Sequence, residues 1–167
     1  MFRMTNPRCL IIGCKKGYRE GLIVPHHHTT EYTLDIVPGI RPGFVADITK
    51  VGNFSCLGKF DEIYFEDIIP LGLQVALNVK NLLVPKRGKI YFIGQHSLHN
   101  FERIKVIYTP LHFSARVGDT ALRKRIREKL FPQVLVDCFG TTRSVIELTQ
   151  VPLPSFETAP GFLLNRN

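Results

Sequence analysis

No stretch of the sequence is apolar for anything like the roughly 20 residues needed to cross a bilayer, and no membrane partner is expected. The opening residues, MFRMTNPRC, lack the hydrophobic stretch of about 7–15 residues found in a secretory signal, so the expected compartment is the cytosol. None of the four cysteines, Cys9, Cys14, Cys56 and Cys138, has a CxxC neighbour, which argues against a zinc ribbon. In a reducing compartment they are expected as thiols, with Cys9 packed as a small hydrophobe. There is no internal repeat and no low-complexity tract. Acids are scarce, 14 against 22 basic residues, giving a net charge of +8 and a pI near 9.5. Such a surface attracts nucleic acid, phosphorylated small molecules, acidic proteins or anionic lipid without choosing among them.

What is present is ordinary for a globular chain: 167 residues, 44% hydrophobic and 22% charged. That composition excludes a disordered chain, a coiled coil and a collagen-like fibre. The length suits one domain, since two of about 80 residues each would have thin cores. Residues 1–150 read as an α/β domain, and 151–167, with Pro152, Pro154 and Pro160, as an extended tail.

Apolar runs bounded by Gly and Pro mark strands at 8–12, 30–37, 44–48 and 60–69. Leu71, Val75, Val79 and Leu82 recur at helical spacing, which predicts a helix over 70–84 between Pro70 and Pro85. KIYFI at 89–93 is apolar on both faces, as in a parallel sheet covered by helices, so strand, helix and strand make a right-handed βαβ unit. RIKVIY at 103–108 alternates polar and apolar, which predicts an edge strand. Leu122, Ile126 and Leu130 predict a helix over 119–131. Late strands are expected at 134–138 and 144–148, as a hairpin turning at 140–142.

Three features fall where an open α/β sheet binds ligands, at the carboxyl ends of its strands. A glycine turn at 13–17 lets the backbone approach a ligand; it reads equally as a plain turn between packed elements. Asp35 follows Gly13 by 22 residues and can accept hydrogen bonds from both ribose hydroxyls, as the acid of a dinucleotide site does; the other reading is a turn cap. Asp47 can take the exocyclic amine of an adenine, with Ile48 beside the ring, or is a solvated turn acid.

Taken in order, CLIIGCKKG, YTLDIVPGIRPGFVADIT, FDEIYFEDI and ALNVKNLLVPKRGKIYFIG resemble the class I S-adenosylmethionine-dependent methyltransferase family. The pattern is of the kind L-x-x-G-C-G, D-I-x-P, V-A-D-I, F-D-x-I-Y, then L-L-x-P-G-G-x-I-x-F. The resemblance spans residues 8–94, about half the chain. It implies a Rossmann-like, mostly parallel sheet of seven strands with helices on both faces and the last strand antiparallel. It implies S-adenosylmethionine as cofactor, with Gly13, Cys14, Lys15 and Gly17 beside its amino-acid part. Asp35, with Ile36, would hold the ribose, and Asp47, with Ile48, the adenine. Glu66 and Asp67 would line the methyl-transfer pocket after the fourth strand. Lys15 stands where the family loop usually has a second glycine.

His96 is a further candidate base, since imidazole titrates near neutral pH. His26, His27 and His28 point in different directions on an extended chain, and no acid or cysteine lies at ligand spacing from His96 and His99, so no metal site is expected. The expected reaction is methyl transfer to an acceptor that the residues do not identify. Two alternatives stay open: a scaffold module of the same fold without cofactor, motivated by Lys15, and a nucleic-acid binder using the basic run Arg123-Lys124-Arg125-Ile126-Arg127.

Overall fold

Short runs with no polar face are satisfied only in a sheet covered on both sides. The structure, a computed structural model, describes residues 8–13, 31–36, 38, 43–66, 68–94, 97–130 and 144–153. Among the described residues, seven strands form one sheet: β1 Cys9–Ile12, β2 Glu31–Asp35, β3 Phe44–Val45, β4 Glu62–Glu66, β5 Lys89–Gly94, β6 Phe113–Val117 and β7 Ser144–Gln150. Their order is β3-β2-β1-β4-β5-β7-β6. The first five run parallel to one another, and β7 runs antiparallel to both β5 and β6. At the centre, β4 and β5 align Tyr64 with Tyr91 and Phe65 with Phe92. Both pairs stack, with ring centroids 4.9 and 4.7 Å apart.

One face buries Leu10, Ile12, Phe65 and Phe92 under α1, Leu73–Leu82, and α2, Phe101–Tyr108. Val75, Val79 and Leu82 recur on the buried side of α1. The helix is shorter than the span between Pro70 and Pro85. Gly72 caps its start in extended backbone, and Leu83 turns extended to bridge Phe60. Two backbone bonds fix that exit, Phe60 N to Leu82 O at 2.8 Å and Val84 N to Phe60 O at 2.9 Å.

The opposite face buries Cys9, Ile11, Tyr64 and Tyr91 under Leu122, Ile126 and Leu130 of α3, Thr120–Leu130. A polar network seats this helix. Glu62 Oε2 accepts hydrogen bonds from Tyr64 Oη and Lys129 Nζ, and Arg125 donates to Tyr91 Oη at 3.1 Å. Beside it the buried Glu147 accepts from Arg116 Nε at 2.6 Å and Lys89 Nζ at 3.3 Å. Such pairs add little net stability, but each is costly to break singly, because the partner is left desolvated.

The structure corrects the expected edge strand at 103–108: this segment lies within α2. Strict alternation would place Val106 on the same side as Ile104 and Tyr108. The latter two are buried, whereas Val106 is 73% exposed, so the period is helical. The edge position belongs to β6, which packs only Phe113 fully. For β7 the described partners are β5 and β6, and the strand expected at 134–138 lies outside the described residues.

Tyr108 packs edge-on against Phe92 and Phe113 at 5.8 Å each, and its hydroxyl has no hydrogen-bond partner among the described residues. An unpaired buried hydroxyl costs about 1–3 kcal/mol. Tyr108→Phe is therefore expected to hold or raise stability by about 1 kcal/mol, read from the urea midpoint. A loss of that size would mean the hydroxyl is satisfied in solution.

Candidate functional site at the carboxyl edge of the sheet

Parallel strands bring their carboxyl ends to one edge, and the order of β1, β2 and β3 sets three turns side by side. Ile12 pairs with Leu34, so Gly13 lies next to Asp35 across the ladder, and Gly13 N donates to Leu34 O at 3.1 Å. Asp35 pairs with Val45, and Ala46 N donates to Asp35 O at 2.9 Å. Asp47 follows two residues beyond the end of β3. The expected neighbourhood of Gly13, Asp35 and Asp47 thus lies along one sheet edge.

Gly13 has φ +84, a conformation that costs L-residues. A Cβ there would sit 2.5 Å from Ile68 Cδ1 and 3.1 Å from Glu66 O. The chain leaving β4 therefore packs directly against the turn leaving β1.

Asp35 is half-buried at the end of β2, and Ile36 beyond it is exposed. Asp47 Oδ1 accepts from Thr49 N at 2.9 Å and Thr49 Oγ1 at 2.6 Å. The Thr49 hydroxyl, then its amide, hold the Asp47 carboxyl below the usual range. Asp47 is thus an anion at neutral pH, with one oxygen engaged in its own turn. Ile48 is buried in the core and Ile36 is not, so Ile36 is the one of the two with an apolar side chain on the surface.

Glu66, the last residue of β4, is fully buried and pairs with Ile93. The end of β5 is closed by two serines. Ser97 Oγ donates to Gly94 O at 2.9 Å, and Ser144 Oγ to the same carbonyl at 3.1 Å. Cys14, Lys15, Gly17, Asp67 and His96, like His26, His27 and His28, lie outside the described residues. His99 is exposed in the turn before α2.

Three residues that the sequence reading passed over belong to this edge or support it: Ile68 against Gly13, Ser97 at Gly94, and Asn78 on α1. Asn78 alone carried a signal, as a polar residue next to Val79 and Ala76 in an apolar stripe. Its amide donates to Ile48 O and Lys50 O, each at 2.8 Å.

A cavity of about 320 Å³ lies elsewhere, lined by Asn53, Phe54, Lys59, Asn78, Asn81 and Leu82 among others. Lys59 precedes β4 and Leu82 ends α1, so its outer part lies toward the amino ends of the strands. Of the basic run on α3, Arg125 reaches inward to Tyr91 and Lys124 lies 3.9 Å from Glu128, while Lys129 beyond the run pairs with Glu62. This leaves less of the helix as an uncompensated cationic face than its sequence suggests. No helix among the described residues is long and apolar enough to cross a membrane.

The strand order, the parallel ladder and the antiparallel β7 between β5 and β6 define a Rossmann-like fold of the methyltransferase type. Solved structures share it. The chain superposes on the plantazolicin methyltransferase BpumL in complex with a triazolic desmethylPZN analog and SAH with a TM-score of 0.54, at 10% identity, over 86% of this chain and 76% of that one. It superposes on the complex between the Haloferax volcanii Trm112 methyltransferase activator and the putative methyltransferase with a TM-score of 0.53, at 10% identity, over 87% and 83%. At this identity the likeness establishes the fold. No protein-family model and no curated protein matches the sequence.

Proposed function

We propose that the chain binds S-adenosylmethionine at the carboxyl edge of its sheet and transfers the methyl group to an acceptor held beside it. The observation that carries this reading is the alignment of Gly13, Asp35 and Asp47 on three adjacent strand ends, joined by the backbone bonds from Gly13 to Leu34 and from Ala46 to Asp35. The fold likeness to methyltransferases solved with SAH supports it.

The residues present fit such a ligand. Gly13, at φ +84, supplies the tight turn at the end of β1. The half-buried Asp35 ends the strand beside the one that carries the Gly13 turn, with the exposed Ile36 following it. Asp47, held as an anion by Thr49, retains an oxygen for the exocyclic amine of adenine. When bound, the cofactor supplies a methyl group on a sulfonium sulfur. The chain's own task is mostly to position the acceptor in line. Buried Glu66 at the end of β4 is the described candidate for orienting the acceptor or taking its proton.

Calorimetry with S-adenosylhomocysteine tests the reading. Asp35→Ala is expected to weaken binding about 10–100-fold, the worth of hydrogen bonds to a charged group. No heat from the unaltered chain at millimolar ligand would remove the proposal. It would favour a second reading, a cofactor-free module of the same fold, to which one observation points: the apolar Ile68 side chain packs against the Gly13 turn, where a zwitterionic amino-acid group would otherwise sit.

A further inference from the structure

The turn that carries Asp47 has little ladder of its own to hold it. β3 is two residues long, and only a single 3₁₀ turn at Ser55–Leu57 interrupts the irregular chain before β4. Besides the buried Ile48 and the bond from Lys50 N to Asp47 O at 3.2 Å, residues 48–50 are held by a side chain on another element. Asn78 projects from α1, is 6% exposed, and gives both amide hydrogens to this turn, to Ile48 O and Lys50 O at 2.8 Å. Its Oδ1 accepts from Gln74 Nε2 at 2.9 Å, one helical turn away, which sets the amide's orientation.

The two accepting carbonyls flank Thr49, and Thr49 is the residue whose N–H and hydroxyl hold the Asp47 carboxylate. Gln74, Asn78, the 48–50 backbone, Thr49 and Asp47 therefore form one chain of contacts from a rigid helix to the sheet edge.

We propose that Asn78 is a positioning residue that sets Asp47 for adenine recognition, and so fixes the preference for a 6-aminopurine. This rests on the cofactor reading above. A pre-set acceptor discriminates between ligands with and without the amine, whereas a loose one adapts to either.

The experiment compares S-adenosylhomocysteine with S-inosylhomocysteine, in which a carbonyl replaces the purine amine, by calorimetry on the full chain. The unaltered protein is expected to prefer the adenosyl ligand at least about tenfold. Asn78→Asp keeps the shape, removes both N–H donors and sets a carboxylate against two carbonyls. It should lose most of that preference while S-inosylhomocysteine binds about as before. Asp47→Ala should do the same, and the double variant should be no worse than either single one. Equal loss of both ligands in Asn78→Asp, or an unchanged preference, overturns the proposal, while the cofactor reading stands on binding by the unaltered chain. Failure of the unaltered chain to bind either ligand overturns both. If Asn78→Asp does not fold, Gln74→Ala decides, since it removes only the bond that orients the amide. A two- to fivefold drop in preference supports the role, and no drop rejects it.

Discussion

Replacing Gly13 by valine is expected to cost about 3 kcal/mol or more, enough to leave a domain of ordinary stability partly unfolded. Two separate penalties act there. Positive φ, here +84, costs an L-residue roughly 1–2 kcal/mol and a β-branched one more. The new Cβ also meets Ile68 Cδ1 at 2.5 Å, Ile68 Cγ1 at 2.6 Å and Glu66 O at 3.1 Å. The isoleucine tip can turn away, but the carbonyl belongs to the last residue of a central strand and cannot. Gly13→Ala separates the two penalties. In that background Ile68→Ala should recover the contact with the side chain and leave the backbone cost. A double-mutant cycle on urea midpoints would then show a favourable coupling of about 1 kcal/mol. Strict additivity would mean that Ile68 does not rest on this turn in solution. The same pair bears on function, because Ile68→Ala alone widens the space beside Gly13. If the packed isoleucine keeps an amino-acid group out, that variant gains affinity for S-adenosylhomocysteine.

Much of the fold was legible because central strands carry an unmistakable signal. CLII in β1, IYF in β4 and IYFI in β5 are buried on both faces, so no helix period or alternation competes with them. For α3, Leu122, Ile126 and Leu130 stand at helical spacing among charges, and only a helix buries all three. The misread segment is one in which two periods agree at Ile104 and Tyr108 and only Val106 separates them; its exposure is a tertiary fact. β6 left little trace because an edge strand that buries chiefly Phe113 has almost no pattern to show.

At the site, Asp35 and Asp47 were legible as acids near strand ends, since the ladder register follows from the strands themselves. Asn78 and Ile68 were not. Their partners lie 30 residues away at Ile48 and far back at Gly13, and local spacing carries no information about contacts of that range. Serines 97 and 144 escaped for the same reason: both converge on one carbonyl, Gly94 O, only once β7 has folded back against β5.

The folded chain is expected to fail steeply in alkali, for a reason set by three tyrosines. Burial raises the pKa of Tyr64, Tyr91 and Tyr108. At Tyr64 the neighbouring Glu62 charge, and the hydrogen bond to it, push further the same way. At Tyr91 the Glu62 charge adds to burial, while Arg125 opposes it. In the unfolded chain each phenol ionises near pH 10. A raised folded value means that the unfolded state gives up protons the folded state keeps, so the stabilisation is whole below pH 10 and is lost as pH climbs above it. Each tyrosine contributes a slope of about 1.4 kcal/mol per pH unit, and three acting together give about 4. Against a total of about 5–15 kcal/mol, that slope brings unfolding near pH 11–12 for a chain at the lower end of the range. Phenolate absorbance from these residues should rise in the same cooperative step as the loss of circular dichroism. Tyr108→Phe is the clean control, because its hydroxyl has no described partner to lose. It should lower the slope by about a third and move the midpoint upward. Ionisation of all five tyrosines near pH 10 in a chain that keeps its far-ultraviolet signal would contradict the stacked, buried pair at the centre of the sheet.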